Sequence, residues 1–195
     1  MPSFTVHTGT GVPLRRSNVD TDQIVPARFG PGFSKTGFGN GLFADWRDDP
    51  SFVLNSHEYQ GATVLVAGND FGTGSSREFA VWAITKAGFL AVLAPRFGDI
   101  FSGNALMNGL LPVVLPAEVI CRLWELIEAD PGVEITIDLA ELEVRCADVA
   151  QAFALDEDAR QRLLSGQDAI GVTMSHEDDI AAYEARRRRT LPTTT

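Results

Sequence analysis

The sequence predicts a single α/β domain with a mixed sheet and flanking helices. Three observations carry that prediction. From Gly61 onward, short apolar runs alternate with helix-period segments, the pattern of βαβ units whose strands lie parallel. Two later segments, Val133–Leu139 and Leu142–Cys146, alternate residue by residue around a polar turn, as antiparallel neighbours do. The composition is globular, with 45% apolar and 22% charged residues in 195, enough for one well-packed core.

Residues 1–60 are dense in turn signals: "TGTGVPL", "NVDTDQIVPARFGPGFSKTGFGNGLF" and "RDDPSF". Gly and Pro punctuate them so heavily that long helices are excluded before Ser51. Ordered but irregular backbone of that length in a compact domain usually carries function. "ATVLVA" (Ala62–Ala67) reads as a buried strand. A Gly-rich turn follows, then a helix through "SREFAVWAITKAG", with Phe79, Trp82, Ala83 and Lys86 at helical spacing and Gly88 as its stop. "FLAVLA" (Phe89–Ala94) closes the βαβ unit, which implies a right-handed crossover. A shorter helix is predicted over Asp99–Asn108 with Gly109 ending it, then a strand over Leu110–Leu115. Pro116 opens a helix over Ala117–Ala129, stopped by "DPG". The hairpin around Ala140–Glu141 comes next, and the chain closes on helical patterns over Asp156–Leu164 and His176–Arg188.

The formal net charge of −10 argues against broad attraction to nucleic acid or anionic membrane, so an anion must be captured locally. No run approaches the roughly 20 apolar residues of a membrane span. The opening "MPSFTVHTGTGVPL" lacks the cationic and apolar regions of a signal peptide. The two cysteines, Cys121 and Cys146, form no CxxC, and the three histidines are scattered, so no metal is expected on this chain. A soluble protein of a reducing compartment is expected.

One stretch stands apart. "GNDFGTGSSREF" (Gly68–Phe79) sets three glycines, two serines and an Arg-Glu pair between a strand and a helix. Ser75 with Glu78 fits a capping box, which by itself is a stability device. Gly68, Gly72 and Gly74 permit close approach of a ligand or positive φ. The helix start offers unpaired N–H groups, and Arg77 stands in a first turn that the helix dipole reserves for acids. A cation placed there points to a bound anion. The stretch is not a Walker A loop, a dinucleotide-binding GxGxxG or a nucleophile elbow. The Asp20-Thr21-Asp22-Gln23 turn has its own structural explanation, because Asp and Thr side chains readily bond nearby backbone.

"GSSRE", "RFGDIF" (Arg96–Phe101) and "NGLLPV" (Asn108–Val113) occur in order with "SNVDTDQIVPARF" (Ser17–Phe29), "KTGFGNGLFADWR" (Lys35–Arg47), "YQGATVLVA" (Tyr59–Ala67) and "DAIGVTMSHEDDIAAYE" (Asp168–Glu184). Together they resemble the swivelling domain of the aconitase superfamily, and within it the family of free-standing 3-isopropylmalate dehydratase small subunits. The resemblance implies an aconitase-type swivelling β/β/α domain over residues 1–195, with an irregular N-terminal region (1–60) and a C-terminal helix (176–188). It implies a hydro-lyase of leucine biosynthesis that acts in the cytoplasm on a small dicarboxylate, as a heterodimer or higher assembly. No cofactor is implied on this chain; a large-subunit partner would carry a [4Fe–4S] cluster as Lewis acid.

By motif position, Ser75 would be the alkoxide that takes a proton from carbon and Arg77 the carboxylate ligand, with Ser76 and Gly74 against the same substrate. Thr21 and Asp22 would form the second wall. Substrate choice would rest on Phe29, Gly30, Pro31 and Gly32. No cation follows Phe29 until Lys35, which suits an uncharged side group such as isopropyl. Two departures are visible: the family has leucine after the aromatic residue where this chain has "GPG", and "SREH" where this chain has Phe79. They leave open a paralogous protein acting on a related 2-substituted malate. A stand-alone small-anion module at Gly72–Arg77 and a serine hydrolase built on Ser75 are the readings from other classes.

Overall fold

The computed structural model describes residues 3–29, 38–74, 78–167, 169–174 and 176–187. Along the chain they form β1 (Val6–Leu14), β2 (Val19–Asp20), α1 (Thr21–Ile24), α2 (Ala44–Arg47), β3 (Val64–Ala67), β4 (Phe71–Thr73), α3 (Glu78–Lys86), β5 (Ala91–Ala94), α4 (Asp99–Met107), β6 (Leu111–Val114), α5 (Ala117–Ala129), β7 (Glu134–Asp138), β8 (Glu143–Cys146), β9 (Val149–Ala152), α6 (Glu157–Ser165), α7 (Ala169–Met174) and α8 (Glu177–Arg186).

Among the described residues, seven strands make one mixed sheet in the order β6-β5-β3-β1-β7-β8-β9. β6, β5, β3 and β1 run parallel, and β1, β7, β8 and β9 pair antiparallel. β1 joins the two halves. Gly11–Leu14 pair with Val64–Ala67 of β3, whereas Val6–Thr10 pair with Glu134–Asp138 of β7. The expectation that residues 1–60 are irregular is therefore corrected here, because its start is a strand of nine residues. Two glycines inside the strand hide it from a pattern search. A Cβ on Gly9 would stand 2.2 Å from Thr63 Oγ1, and one on Gly11 2.7 Å from Ile135 Cδ1, so both positions are kept bare by close packing. Pro13 is tolerated because β7 does not pair with that half of the strand.

Both faces of β3 and β5 are buried, which explains why these strands are continuous apolar runs. Leu65, Ala67, Val92 and Ala94 face a core that α3 and α4 close with Ala80, Ile84 and Phe101. Val64, Val66, Ala91 and Leu93 face a second core that α5 closes with Ile120, Leu123 and Ile127. α5 starts after Pro116 without a side-chain cap. Burial of its three apolar side chains, about 1.5–3 kcal/mol each, outweighs the ~1 kcal/mol a cap would add.

The turn from β7 to β8 depends on Asp138. Its Oδ1 accepts from the backbone N–H groups of Ala140 at 3.1 Å and Glu141 at 3.0 Å, and its Oδ2 from Arg145 Nη2 at 3.4 Å. The Glu141 N–H, then Arg145 and the Ala140 N–H, hold the carboxyl below its ordinary range. A lowered folded pKa stabilises the fold above the unfolded value of about 3.9, and that contribution is lost as pH falls through the folded value. Asp138→Asn keeps an acceptor oxygen but no charge. Its urea midpoint is expected below that of the wild type at neutral pH, with the gap closing below about pH 4. A gap that stays constant on acidification would contradict this.

Candidate active site

The carboxyl ends of adjacent parallel strands meet at one place. The chain after β1 and the chain after β3 continue side by side, tied by Gly68 N–H to Arg16 O (2.9 Å), Asn18 N–H to Asn69 O (2.8 Å) and Asn69 N–H to Ser17 Oγ (3.1 Å). They then form a second, two-stranded sheet in which β2 and β4 are parallel, Val19 facing Phe71 and Asp20 facing Thr73. Sites in open α/β sheets lie at such strand ends.

One wall is α1. Asp20 caps it: Gln23 N–H donates to Asp20 Oδ1 at 2.7 Å, and Asp20 N–H to Gln23 Oε1 at 2.9 Å. Of the four residues in "DTDQ", the outer two thus hold the turn, with Thr21 and Asp22 between them. Thr21 is buried at 2% exposure and Asp22 is exposed.

The other wall is the Gly-rich turn. Gly72 and Gly74 have φ of +75° and +87°, the left-handed region that glycine alone adopts freely. Gly72 is also held against a ring, since a Cβ there would lie 2.3 Å from Phe101 Cγ. Gly74 faces the first wall, its Cβ position 3.8 Å from Asp20 Cβ. Gly74 thus lies beside Asp20, the cap of the turn that carries Thr21 and Asp22. Ser75, Ser76 and Arg77 lie outside the described residues, and α3 begins at Glu78. Gly30, Pro31 and Gly32 lie outside them too. Phe29, just before, packs its ring over Gly41, whose Cβ position is 3.1 Å from Phe29 Cγ. Phe79 packs against the core beneath α3.

The crossover from β5 to β6 braces this turn from below. Gly98 N–H donates to Phe71 O at 2.9 Å, and Phe71 N–H to Arg96 O at 3.0 Å. Phe71, Phe97 and Phe101 pack as a trio, Phe71 edge-on to Phe101 at 5.4 Å and Phe97 stacked on Phe101 at 6.2 Å. Asp70, at φ +60°, is held by Asn69 Nδ2 at 2.7 Å and by an ion pair with Arg96. That bond raises the pKa of the Arg96 guanidinium, which stays charged at any working pH. Sequence reasoning passed over Asp70, Arg96 and Asn108 as individual groups. The signal was present, because all three lie inside the quoted motifs.

Among the described residues no three His, Cys, Asp or Glu side chains are gathered as a metal site. Cys121 is exposed and Cys146 buried, both unpaired, and burial pushes the Cys146 thiol up. No described helix is long and apolar enough to cross a membrane.

Comparison with known proteins gives the arrangement its context. The Aconitase C-terminal domain matches residues 1–118 and LeuD_N residues 122–157. The C-terminal domain of the 3-isopropylmalate dehydratase small subunit matches residues 170–195. The 3-isopropylmalate dehydratase small subunit of Thermobifida fusca is 59% identical over 194 residues, covering 100% of both chains. That of Streptomyces coelicolor is 58% identical, over 100% of this chain and 98% of its own. A crystal structure of 3-isopropylmalate dehydratase from Methanocaldococcus jannaschii, 24% identical, superposes with a TM-score of 0.68 over 91% of this chain and 98% of that one, a likeness of fold. By its sequence along the whole length, the chain belongs to the family of 3-isopropylmalate dehydratase small subunits.

Proposed function

We propose that this chain is the small subunit of a hydro-lyase that interconverts 2-isopropylmalate and 3-isopropylmalate in leucine biosynthesis, active only with a large subunit. Family membership over the full length carries the proposal. The Gly-rich turn lying against Asp20, which caps the Thr21–Asp22 turn, supports it.

In this reading Ser75 Oγ takes a proton from the substrate carbon, and the electron pair of that C–H bond becomes the second bond of the alkene as the neighbouring hydroxyl leaves. Rehydration at the adjacent carbon reverses the roles and returns the proton. A serine hydroxyl is normally too weak an acid for this. The positive end of the α3 dipole and the guanidinium of Arg77 both favour the anion. Arg77 holds a substrate carboxylate through its planar fork, Ser76 and the Gly74 backbone line the same group, and Asp22 orients Arg77 or the base. Phe29 with Gly30, Pro31 and Gly32 encloses the uncharged branch. A [4Fe–4S] cluster in the large subunit supplies Lewis acidity toward the departing hydroxyl. The chain's two cysteines, one of them buried, offer no set of ligands for such a cluster. Its unpaired thiols accord with work in the cytoplasm.

A second reading rests on Phe79. It cannot hydrogen-bond as the family's His can, which favours a paralogue acting on a related 2-substituted malate. One experiment separates the two. The chain is mixed anaerobically with the reconstituted large subunit from its own source, and dehydration of 3-isopropylmalate is followed beside other 2-substituted malates. Turnover of 3-isopropylmalate by the mixture alone is the expected result. An intact complex that turns over only another malate would establish the paralogue, and turnover by the isolated chain would overturn both.

A further inference from the structure

Asn108 closes α4 and opens the "NGLLPV" stretch that follows it. Its backbone N–H bonds Asn104 O and Ala105 O, both at 3.1 Å, which ends the helix. Its side chain reaches further. Asn108 Oδ1 accepts Trp82 Nε1–H at 2.9 Å, and Nδ2 donates to Glu78 Oε1 at 2.9 Å and to Asn104 O at 2.8 Å. The amide can sit in only one sense. An indole nitrogen only donates, and a carboxylate and a carbonyl only accept. A flipped amide would set a donor against the indole and an oxygen against both acceptors.

Glu78 and Trp82 are four residues apart and so share one face of α3. A single carboxamide therefore holds the first full turn of that helix. Glu78 is also the residue after Arg77 in the chain. Its carboxylate, free in principle to fold back on Ser75 in a capping box, has one oxygen committed to Asn108. On the near side of the same stretch, Asp70 is held by Arg96. The described residues on either side of Ser75–Arg77 in the chain, Asp70 and Glu78, are thus each bonded to a residue of the β5–β6 crossover.

We infer that Asn108 is a positioning residue: its carboxamide fixes the first turn of α3, the element that directly follows Ser75–Arg77 in the chain, and turnover depends on that turn being held. The inference rests on the dehydratase function proposed above for its catalytic consequence, though the anchoring itself does not. Asn108→Asp keeps the acceptor for Trp82 but puts an oxygen in place of the donor that serves Glu78 and Asn104 O. Adding Glu78→Gln restores a donor–acceptor pair to α3 with its direction reversed, and leaves the Asn104 bond broken. Glu78→Gln alone can still accept from Asn108 through its amide oxygen.

In the mixture with the large subunit, Asn108→Asp is expected to lower kcat/KM about 10- to 100-fold, the scale of small misplacements of reacting groups. The double variant should recover most of that loss, and Glu78→Gln alone should stay near wild type. A role confined to ending α4 would not be rescued, because the bond to Asn104 stays lost. Hydrogen exchange on the isolated full chain gives a readout that needs no activity. Amides of Glu78–Trp82 should exchange faster in Asn108→Asp and slow again in the double variant. Wild-type turnover by Asn108→Asp, no rescue in the double variant, or unchanged exchange would each overturn the inference. A wild-type mixture that is itself silent would sink the dehydratase reading, and the exchange result would still decide the role of Asn108.

Discussion

Ser75→Ala, mixed with the large subunit, is expected to lose turnover by roughly 10²–10⁴-fold, the range in which a positioned proton-transfer group acts, while the complex assembles as for wild type. The substitution deletes one oxygen and leaves Gly72 and Gly74 to shape the turn. The measurement is kcat and KM for 3-isopropylmalate, with complex formation followed by size-exclusion chromatography. If Ser75 is the base, the loss falls on kcat, because alanine still leaves Arg77 to hold the carboxylate. If Ser75 only caps α3, the loss is about 1 kcal/mol of stability and kcat is nearly unchanged. That second outcome would remove Ser75 from the chemistry without touching the family assignment.

Phe101→Ala is expected to cost the fold about 3–5 kcal/mol, a large part of the roughly 5–15 kcal/mol typical of a domain. The ring is fully buried, stacked on Phe97 and edge-on to Phe71, and it occupies the space a Cβ at Gly72 would need. No small shift fills that void, because Gly72 has no side chain and Gly98 is itself pressed against Gly72 O, which a Cβ there would approach to 2.4 Å. Urea unfolding should show a lower midpoint with an unchanged slope. Phe101→Leu should lose less. A loss below about 1 kcal/mol for Phe101→Ala would mean that the trio collapses onto the cavity, against the rigid floor described here.

Local pattern carried the parallel half of the sheet. Ala62–Ala67, Phe89–Ala94 and Leu110–Leu115 are apolar runs, mostly buried apart from Leu90 and Val114, and each contains the strand found there. The β7–β8 hairpin was equally visible from its alternation. β1 was not, because Gly9, Gly11 and Pro13 read as turn residues until a crowded partner is known. The signal that could have found it is the period of two in Val6, Thr8, Thr10, Val12 and Leu14, all branched side chains. β2 and β4 are too short for any periodicity and exist because their flanking turns are bonded together. The two walls of the site were legible as motifs, yet the bonds of Asp70 and Asn108 join residues 26 and 30 positions apart, a separation no local pattern encodes.

The division of β1 between two neighbours has a consequence for how the chain is made. A nascent chain that has emerged through Ala67 can already pair Gly11–Leu14 with β3, but Val6–Thr10 must wait for Glu134–Asp138. Pairings so distant in sequence form late, and until then the first half of β1 is an open edge able to pair with another chain. Biosynthesis of this protein therefore carries its aggregation hazard at the amino terminus, and that hazard ends only when β7 has left the ribosome.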